Sequence, residues 1–241
     1  MKKRADQLLV ERGVFESRAR AQAAIAAGLV VADGHPVRKA SDMLAADAVL
    51  AAQALHPYVS RGGLKLAGAL DAFGLDPAGL LCLDVGSSTG GFTDLLLKRG
   101  ARHVVAVDVG RDQLHASLRN DPRVTSLEGQ DIRTLAPAML PGQPELAAID
   151  VSFISLRLVL PAVAALLAPR ARIAALIKPQ FEAGRAALKK GIVRDETVQA
   201  EVCAGIVALL GDLGFSVAGP IPSPIAGGDG NREFLVCARQ G

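Results

Sequence analysis

Apolar residues recur along most of this chain in short aliphatic runs. LCLDV (81–85), HVVAVD (103–108), VTSLE (124–128), ELAAIDV (145–151), RIAALIK (172–178), FSVAG (215–219) and EFLVCAR (233–239) each have the length and composition of a strand. Helical spacing fills the intervals, notably 91–99, 111–119, 155–168 and 197–213. Buried strands alternating with helices predict an α/β fold, a doubly wound seven-stranded sheet. Ahead of it, in SRGGLKLAGALDAF, Leu66, Leu70 and Phe73 fall at i, i+4 and i+7, one buried helical face. Lys65 stands in the first turn of that helix. Taken alone, it reads as an exposed lysine whose stem covers apolar surface.

The first 55 residues follow another plan and predict a small α+β module. RADQLLVERG reads as a short helix ended by Gly13, and Ser17 as the N-cap of RARAQAAIAAG, which stops at Gly28. LVVADGHPV is a hairpin turning at Asp33-Gly34, and residues 48–52 offer one more strand. The segment 56–63, HPYVSRGG, lacks apolar periodicity and reads as a linker, leaving 64–241 for the larger domain.

Composition narrows the options. Half of the 241 residues are hydrophobic but only 3% are aromatic, so the cores rest on Ala, Leu, Val and Ile. Cys82, Cys203 and Cys237 stand far apart and the four histidines show no ligand spacing, so neither a disulfide framework nor a metal site is expected. No signal peptide or membrane span is readable, because Pro161, Pro169, Arg170 and Arg172 interrupt the most apolar stretch. A soluble cytoplasmic protein is the expectation. Residues 1–65 carry ten Lys and Arg against six acids, while the remainder is nearly balanced. That asymmetry turns the N-terminal module toward a polyanion.

Its pattern is specific as well. R-x-D-x-L-L-V-x-x-G at 4–13, S-R-A-x-A at 17–21 and I-x-x-G-x-V-x-x-x-G at 25–34 resemble the small RNA-binding domain named for ribosomal protein S-four. The resemblance implies binding of structured RNA, with Arg4, Arg18 and Arg20 as candidate contacts.

In LCLDVGSSTGGFTDLLLKRG a buried strand ends at Asp84, a glycine turn follows, and a helix starts near Gly91. Ligands of such sheets bind at the carboxyl ends of the strands. Ser88 occupies the position where a dinucleotide fingerprint needs its second glycine, and no Gly-Lys-Ser/Thr follows. S-adenosylmethionine suits the turn better. Gly86, Gly90 and Gly91 would leave room for its methionine moiety, within a cradle of Ser87, Ser88, Thr89 and Phe92, and Asp84 would face its ammonium. Asp108, ending the second strand, would grip the ribose hydroxyls. Asp131 would meet the adenine.

Charged residues also close the later strands: Asp150 after AAI, Lys178 after ALI, and Glu233 before FLVCA. With Lys65 they make a Lys-Asp-Lys-Glu set. SRGGLKL, DVGSSTGGFTD, DVSFISL, IKPQFE, GIVRD and GNREF, in that order, resemble the TlyA-type RNA methyltransferases, which share the catalytic core of the FtsJ-like ribose methyltransferases. The resemblance implies a Rossmann-like S-adenosylmethionine-dependent domain that methylates ribose 2′-hydroxyls of ribosomal RNA in ribosomal subunits. It implies Lys178 as base, Lys65 as the second ammonium that lowers its basicity and orients the hydroxyl, and Asp150 and Glu233 as their holders.

Other chemistries fit less well. Methylation of a base amine would favour an N/D-P-P-Y/F signature where the chain has DVSF, and carbon methylation would need a cysteine at a strand end. An idle RNA-binding scaffold stays open as an alternative. Members of the family have been labelled haemolysins, yet no lytic segment is readable. Lys189, Lys190 and Arg61 are further candidates along an RNA path.

Overall fold

The computed structural model describes residues 2–52, 56–227 and 230–241. The last positions of the predicted first module, 53–55, fall outside them. The chain divides into two compact units, Met1–Pro57 and Tyr58–Gly241.

In the first unit, β1 (Lys2–Arg4) leads into α1 (Ala5–Glu11) and pairs antiparallel with β4 (Met43–Ala45). The second helix, α2 (Arg18–Ala26), is capped by the Ser17 hydroxyl, which accepts from Arg20 N. β2 (Val30–Ala32) lies between β3 (His35–Pro36) and β5 (Leu50–Ala52), both antiparallel to it. The turn residues Asp33 and Gly34 both have positive φ, +50° and +79°, as a two-residue hairpin of this hand requires. Leu9, Ala21, Ala24, Ile25 and Val30 close the core.

The second unit opens with α3 (Gly62–Phe73). There follow β6 (Leu81–Val85), α4 (Gly91–Lys98), β7 (His103–Asp108), α5 (Ala116–Arg119), β8 (Val124–Glu128), β9 (Leu146–Ile149) and α6 (Leu156–Leu166). β10 (Arg172–Ile177), α7 (Pro179–Glu182), α8 (Glu196–Asp212), β11 (Phe215–Pro222) and β12 (Phe234–Gln240) complete it. The sheet order is β11-β12-β10-β9-β6-β7-β8, parallel from β8 to β10, with β12 antiparallel to both of its neighbours. Strand order reverses between β6 and β9, so a cleft opens there at the carboxyl ends.

Alternation along β6 divides the core. Leu81, Leu83 and Val85 face the layer of α6 and α8, while Cys82 faces that of α3 and α4. Leu66 and Leu70 are sealed beneath the latter layer. All three cysteines are free and buried, and burial pushes the Cys82 thiol up to about 12. No helix among the described residues is long and apolar enough to cross a membrane.

Three segments differ from the sequence reading. Residues 58–63 are part of the second unit rather than a linker. Val59 N donates to Asp94 Oδ2 at 2.8 Å, and the Lys98 ammonium lies over the Tyr58 ring. Of the helix expected at 111–119, only α5 forms. Asp112 is left-handed, and the Gln113 and Leu114 amides are pinned by Glu128 Oε1 at 2.7 and 3.0 Å. β9 and β10 end at Ile149 and Ile177, which leaves Asp150 and Lys178 one residue beyond their ladders, at the cleft.

Candidate active site

Two ion pairs sit at these strand ends. The antiparallel register sets Phe234 opposite Ile177, so Glu233 and Lys178 flank the same end of the β10–β12 ladder. The first turn of α3, packed across β12 and β10, supplies Lys65. Its Nζ donates to Glu233 Oε2 at 2.6 Å, with side-chain exposures of 12% and 3%. Lys178 Nζ lies 2.6 Å from Asp150 Oδ1 and donates to Ser152 Oγ at 2.9 Å.

Two cavities open here, of about 270 and 1210 Å³, and both are lined by Gly86, Ser88 and Asp150. The smaller is also walled by Arg61, Lys65, Ser87, Thr89, Gly91 and Phe92. Asp108, Asp131, Ser152, Phe153 and Phe181 line the larger. Asp150 therefore belongs to both cavities and to an ion pair.

The glycine turn is shaped by the protein before any ligand. A Cβ at Gly86 would stand 2.4 Å from the Asp150 carbonyl oxygen, one at Gly90 2.3 Å from Leu118, and one at Gly91 2.2 Å from Ser60 Oγ. Gly86 and Gly90 also have positive φ. Close approach of neighbouring backbone and side chains demands these glycines.

Asp84 is fully buried and lines neither cavity. As an even-numbered residue of β6 it points into the α3–α4 layer, where Thr93 Oγ1 donates to its Oδ2 at 2.6 Å and braces the start of α4. Burial pushes its carboxyl up to about 7, against the Thr93 hydrogen bond.

Asp108 ties the turn together, accepting from Ser88 N at 2.8 Å and Gly110 N at 2.7 Å. Asp131 accepts from the Arg133 guanidinium, which holds its carboxyl below the usual range. Both line the larger cavity.

Sequence reasoning passed over three residues in this region. Phe153 is 91% exposed at φ +63°, a conformation rare for a bulky side chain, and its ring lies 5.0 Å from that of Phe181. Glu182 accepts from Ser155 Oγ and Leu156 N at 2.5 and 2.6 Å, fixing the start of α6. Ser152 holds Lys178. No periodicity or spacing signal marks them, since each acts through a tertiary contact.

In the first unit, Asp6 is fully buried, yet it takes Arg4 Nε at 3.0 Å, Arg18 Nη2 at 2.8 Å and Gln22 Nε2 at 2.7 Å. Arg4 above all holds its carboxyl well below the usual carboxylate range. Arg4 and Arg18 are thus oriented by an internal acid while their outer faces stay in water. Arg20 pairs with Glu16 at 2.9 Å. In the second unit, Lys189 bridges to Ile192 and Lys190 is exposed.

The mostly parallel seven-stranded sheet of this order, with a glycine turn at its switch point, is a methyltransferase fold. The family model of the FtsJ-like methyltransferases matches residues 58–240 and that of the S4 domain residues 3–50. The chain belongs to the FtsJ-like methyltransferase family, with an S4 domain ahead of the enzyme unit. It is 48% identical over 239 residues, 98% of this chain and 85% of the relative, to a candidate rRNA methyltransferase, YqxC, of Bacillus subtilis. It is 44% identical over 241 residues, 98% of this chain and 89% of the relative, to the 16S/23S rRNA (cytidine-2′-O)-methyltransferase TlyA of Mycobacterium tuberculosis. A solved structure of a candidate hemolysin from Streptococcus thermophilus superposes with a TM-score of 0.78 at 44% identity, covering 99% of this chain and 88% of that one.

Proposed function

We propose that this chain transfers a methyl group from S-adenosylmethionine to a ribose 2′-hydroxyl of ribosomal RNA, with Lys178 as the base. The observation that supports the reading is the presence of two ion pairs, Lys65–Glu233 and Lys178–Asp150, at the carboxyl edge of the sheet, with Lys65 lining the smaller cavity and Asp150 lining both. Ribosomal RNA is taken as substrate from the named activity of the Mycobacterium tuberculosis relative and from the S4 domain.

The residues fit the cofactor. Ser87 Oγ is buried at the smaller cavity with no hydrogen-bond partner among the described residues, an open group for a polar ligand. Arg61 at the same wall suits the amino-acid carboxylate. Asp108 suits the ribose hydroxyls, and Asp131 beside Ile132 suits the adenine.

S-adenosylmethionine supplies an electrophilic sulfonium methyl whose carbon–sulfur bond breaks with the electron pair going to sulfur. The protein's part is positioning and proton transfer. Lys178 Nζ takes the hydroxyl proton as the ribose oxygen bonds to carbon, and Asp150 stabilises the ammonium that forms. Lys65, held by Glu233, directs its ammonium at the ribose oxygen and steadies its developing charge. Phe153 offers an exposed face on which a base drawn out of its helix would stack. Arg4, Arg18 and Arg20 would meet RNA phosphates, and Lys189 and Lys190 would lie along the RNA path.

Purified small and large ribosomal subunits incubated with methyl-labelled S-adenosylmethionine, then digested to nucleosides, test the reading. Label in a 2′-O-methylnucleoside is expected; label only in a base-methylated nucleoside would overturn it.

A further inference from the structure

A lysine serving as base must present a lone pair to the proton it takes, and so its two remaining N–H bonds must point elsewhere. The contacts of Lys178 show what turns it. The Asp150 carboxylate lies only 2.6 Å from Nζ, but the pair does not have hydrogen-bonding geometry. In the ammonium form that pair is held by charge, which is weakly directional. The directed hydrogen bond of Nζ among the described residues is the one to Ser152 Oγ, at 2.9 Å.

Ser152 is itself well anchored. It lies between Asp150 and the left-handed Phe153. Three residues further on, the loop is clamped where Glu182, four residues beyond Lys178, receives Ser155 Oγ and Leu156 N. Both ends of the Lys178–Ser152 contact therefore lie on loops, one after β9 and one after β10, that Glu182 ties to each other. The Lys178 ammonium also stands 6.0 Å from the centre of the Phe181 ring, which blocks another direction.

We infer that Ser152 is a positioning residue for the reaction: its hydroxyl aims the Lys178 amine at the ribose hydroxyl. The inference rests on the assignment of Lys178 as base. After proton transfer the same oxygen accepts from the new ammonium, so the contact is of use in both states.

The test compares wild-type enzyme with Ser152→Ala, Ser152→Thr and Lys178→Ala, measuring kcat, KM for ribosomal subunits, and binding of S-adenosylhomocysteine by calorimetry. Ser152→Ala is expected to lower kcat about 10- to 100-fold, the worth of a hydrogen bond to a charged group. KM and S-adenosylhomocysteine binding should stay within about twofold. Ser152→Thr, which keeps the hydroxyl, should recover most of the rate. Wild-type kcat in Ser152→Ala beside an inactive Lys178→Ala would overturn the role of Ser152 and leave the base assignment standing. An active Lys178→Ala would overturn the base assignment instead. Loss of S-adenosylhomocysteine binding in Ser152→Ala, not restored by threonine, would show a structural role and also overturn the inference.

Discussion

Lys65 Nζ and Glu233 Oε2 meet at 2.6 Å across 168 positions of sequence, with neither side chain more than 12% exposed. Removing one partner leaves the other charge shielded from water and unpaired, which costs roughly 3–5 kcal/mol. Glu233→Ala should therefore lower the melting temperature of the enzyme unit by about 6–20 °C and abolish methyl transfer. Lys65→Met combined with Glu233→Leu, apolar and of similar volume, should recover most of the stability and none of the activity. Calorimetry beside a methyl-transfer assay separates the two effects; an active double variant would refute the role given to Lys65.

Asp84 sets a pH dependence of stability. In the unfolded chain it ionises near its ordinary value of about 4, whereas burial keeps it protonated to about 7 in the fold. The unfolded state then holds fewer protons on this group between these values, so the Asp84 contribution is fully present below about pH 4 and is lost as pH rises through about 7. His103, which burial holds below its ordinary value, acts oppositely, its stability being lost as pH falls through the unfolded value. Urea unfolding of wild type and Asp84→Asn from pH 4.5 to 7.5 isolates the carboxyl, because both proteins share His103. The difference between them should change by a few kcal/mol over that range; parallel curves would contradict the assignment.

Asp6 organises the S4 domain through three side chains while fully buried. Its carboxyl is depressed in the fold, so its contribution is present above its ordinary range and is lost as pH falls through the range below about 4. Asp6→Ala should destabilise that domain by roughly 1–3 kcal/mol, because Arg4 and Arg18 remain in water, and loosen Arg4 and Arg18. Hydrogen exchange should show amides of α1 and α2 losing protection while β6, β7 and β9 keep theirs. Uniform loss across both units would disagree.

Phe153 combines exposure with a left-handed backbone, a conformation that costs about 1–3 kcal/mol. Phe153→Gly should relieve it and raise stability. Loss of the ring should raise KM for ribosomal subunits about tenfold or more, as the loss of one base-stacking contact does, with S-adenosylhomocysteine binding unchanged. Unchanged KM would remove the stacking role.

Elements with their own periodicity were legible from the chain. The seven strands of the large sheet, the α3 stripe of Leu66 and Leu70, and the Asp33-Gly34 hairpin all carry local signals. β1 and β4 are three residues each and exist through pairing across forty positions, which no local pattern announces. The helix expected at 111–119 gave way to the Glu128 carboxylate, a tertiary contact. Around the cleft, charged residues closing apolar runs pointed to Asp150, Lys178 and Glu233. Asp84 shared that appearance but lies on the inner face of its strand, one residue short of the edge. Ser152 and Glu182 are visible only through the side chains they hold.

The most direct test of the account is alkaline hydrolysis of ribosomal RNA labelled by wild-type enzyme, run beside Lys178→Ala with binding of S-adenosylhomocysteine measured in both. A methylated 2′-oxygen cannot attack the next phosphodiester. The account therefore predicts one alkali-resistant labelled dinucleotide from the wild type and no label from Lys178→Ala, with equal S-adenosylhomocysteine binding. Label that alkali releases as a mononucleotide, or full labelling by Lys178→Ala, would contradict it.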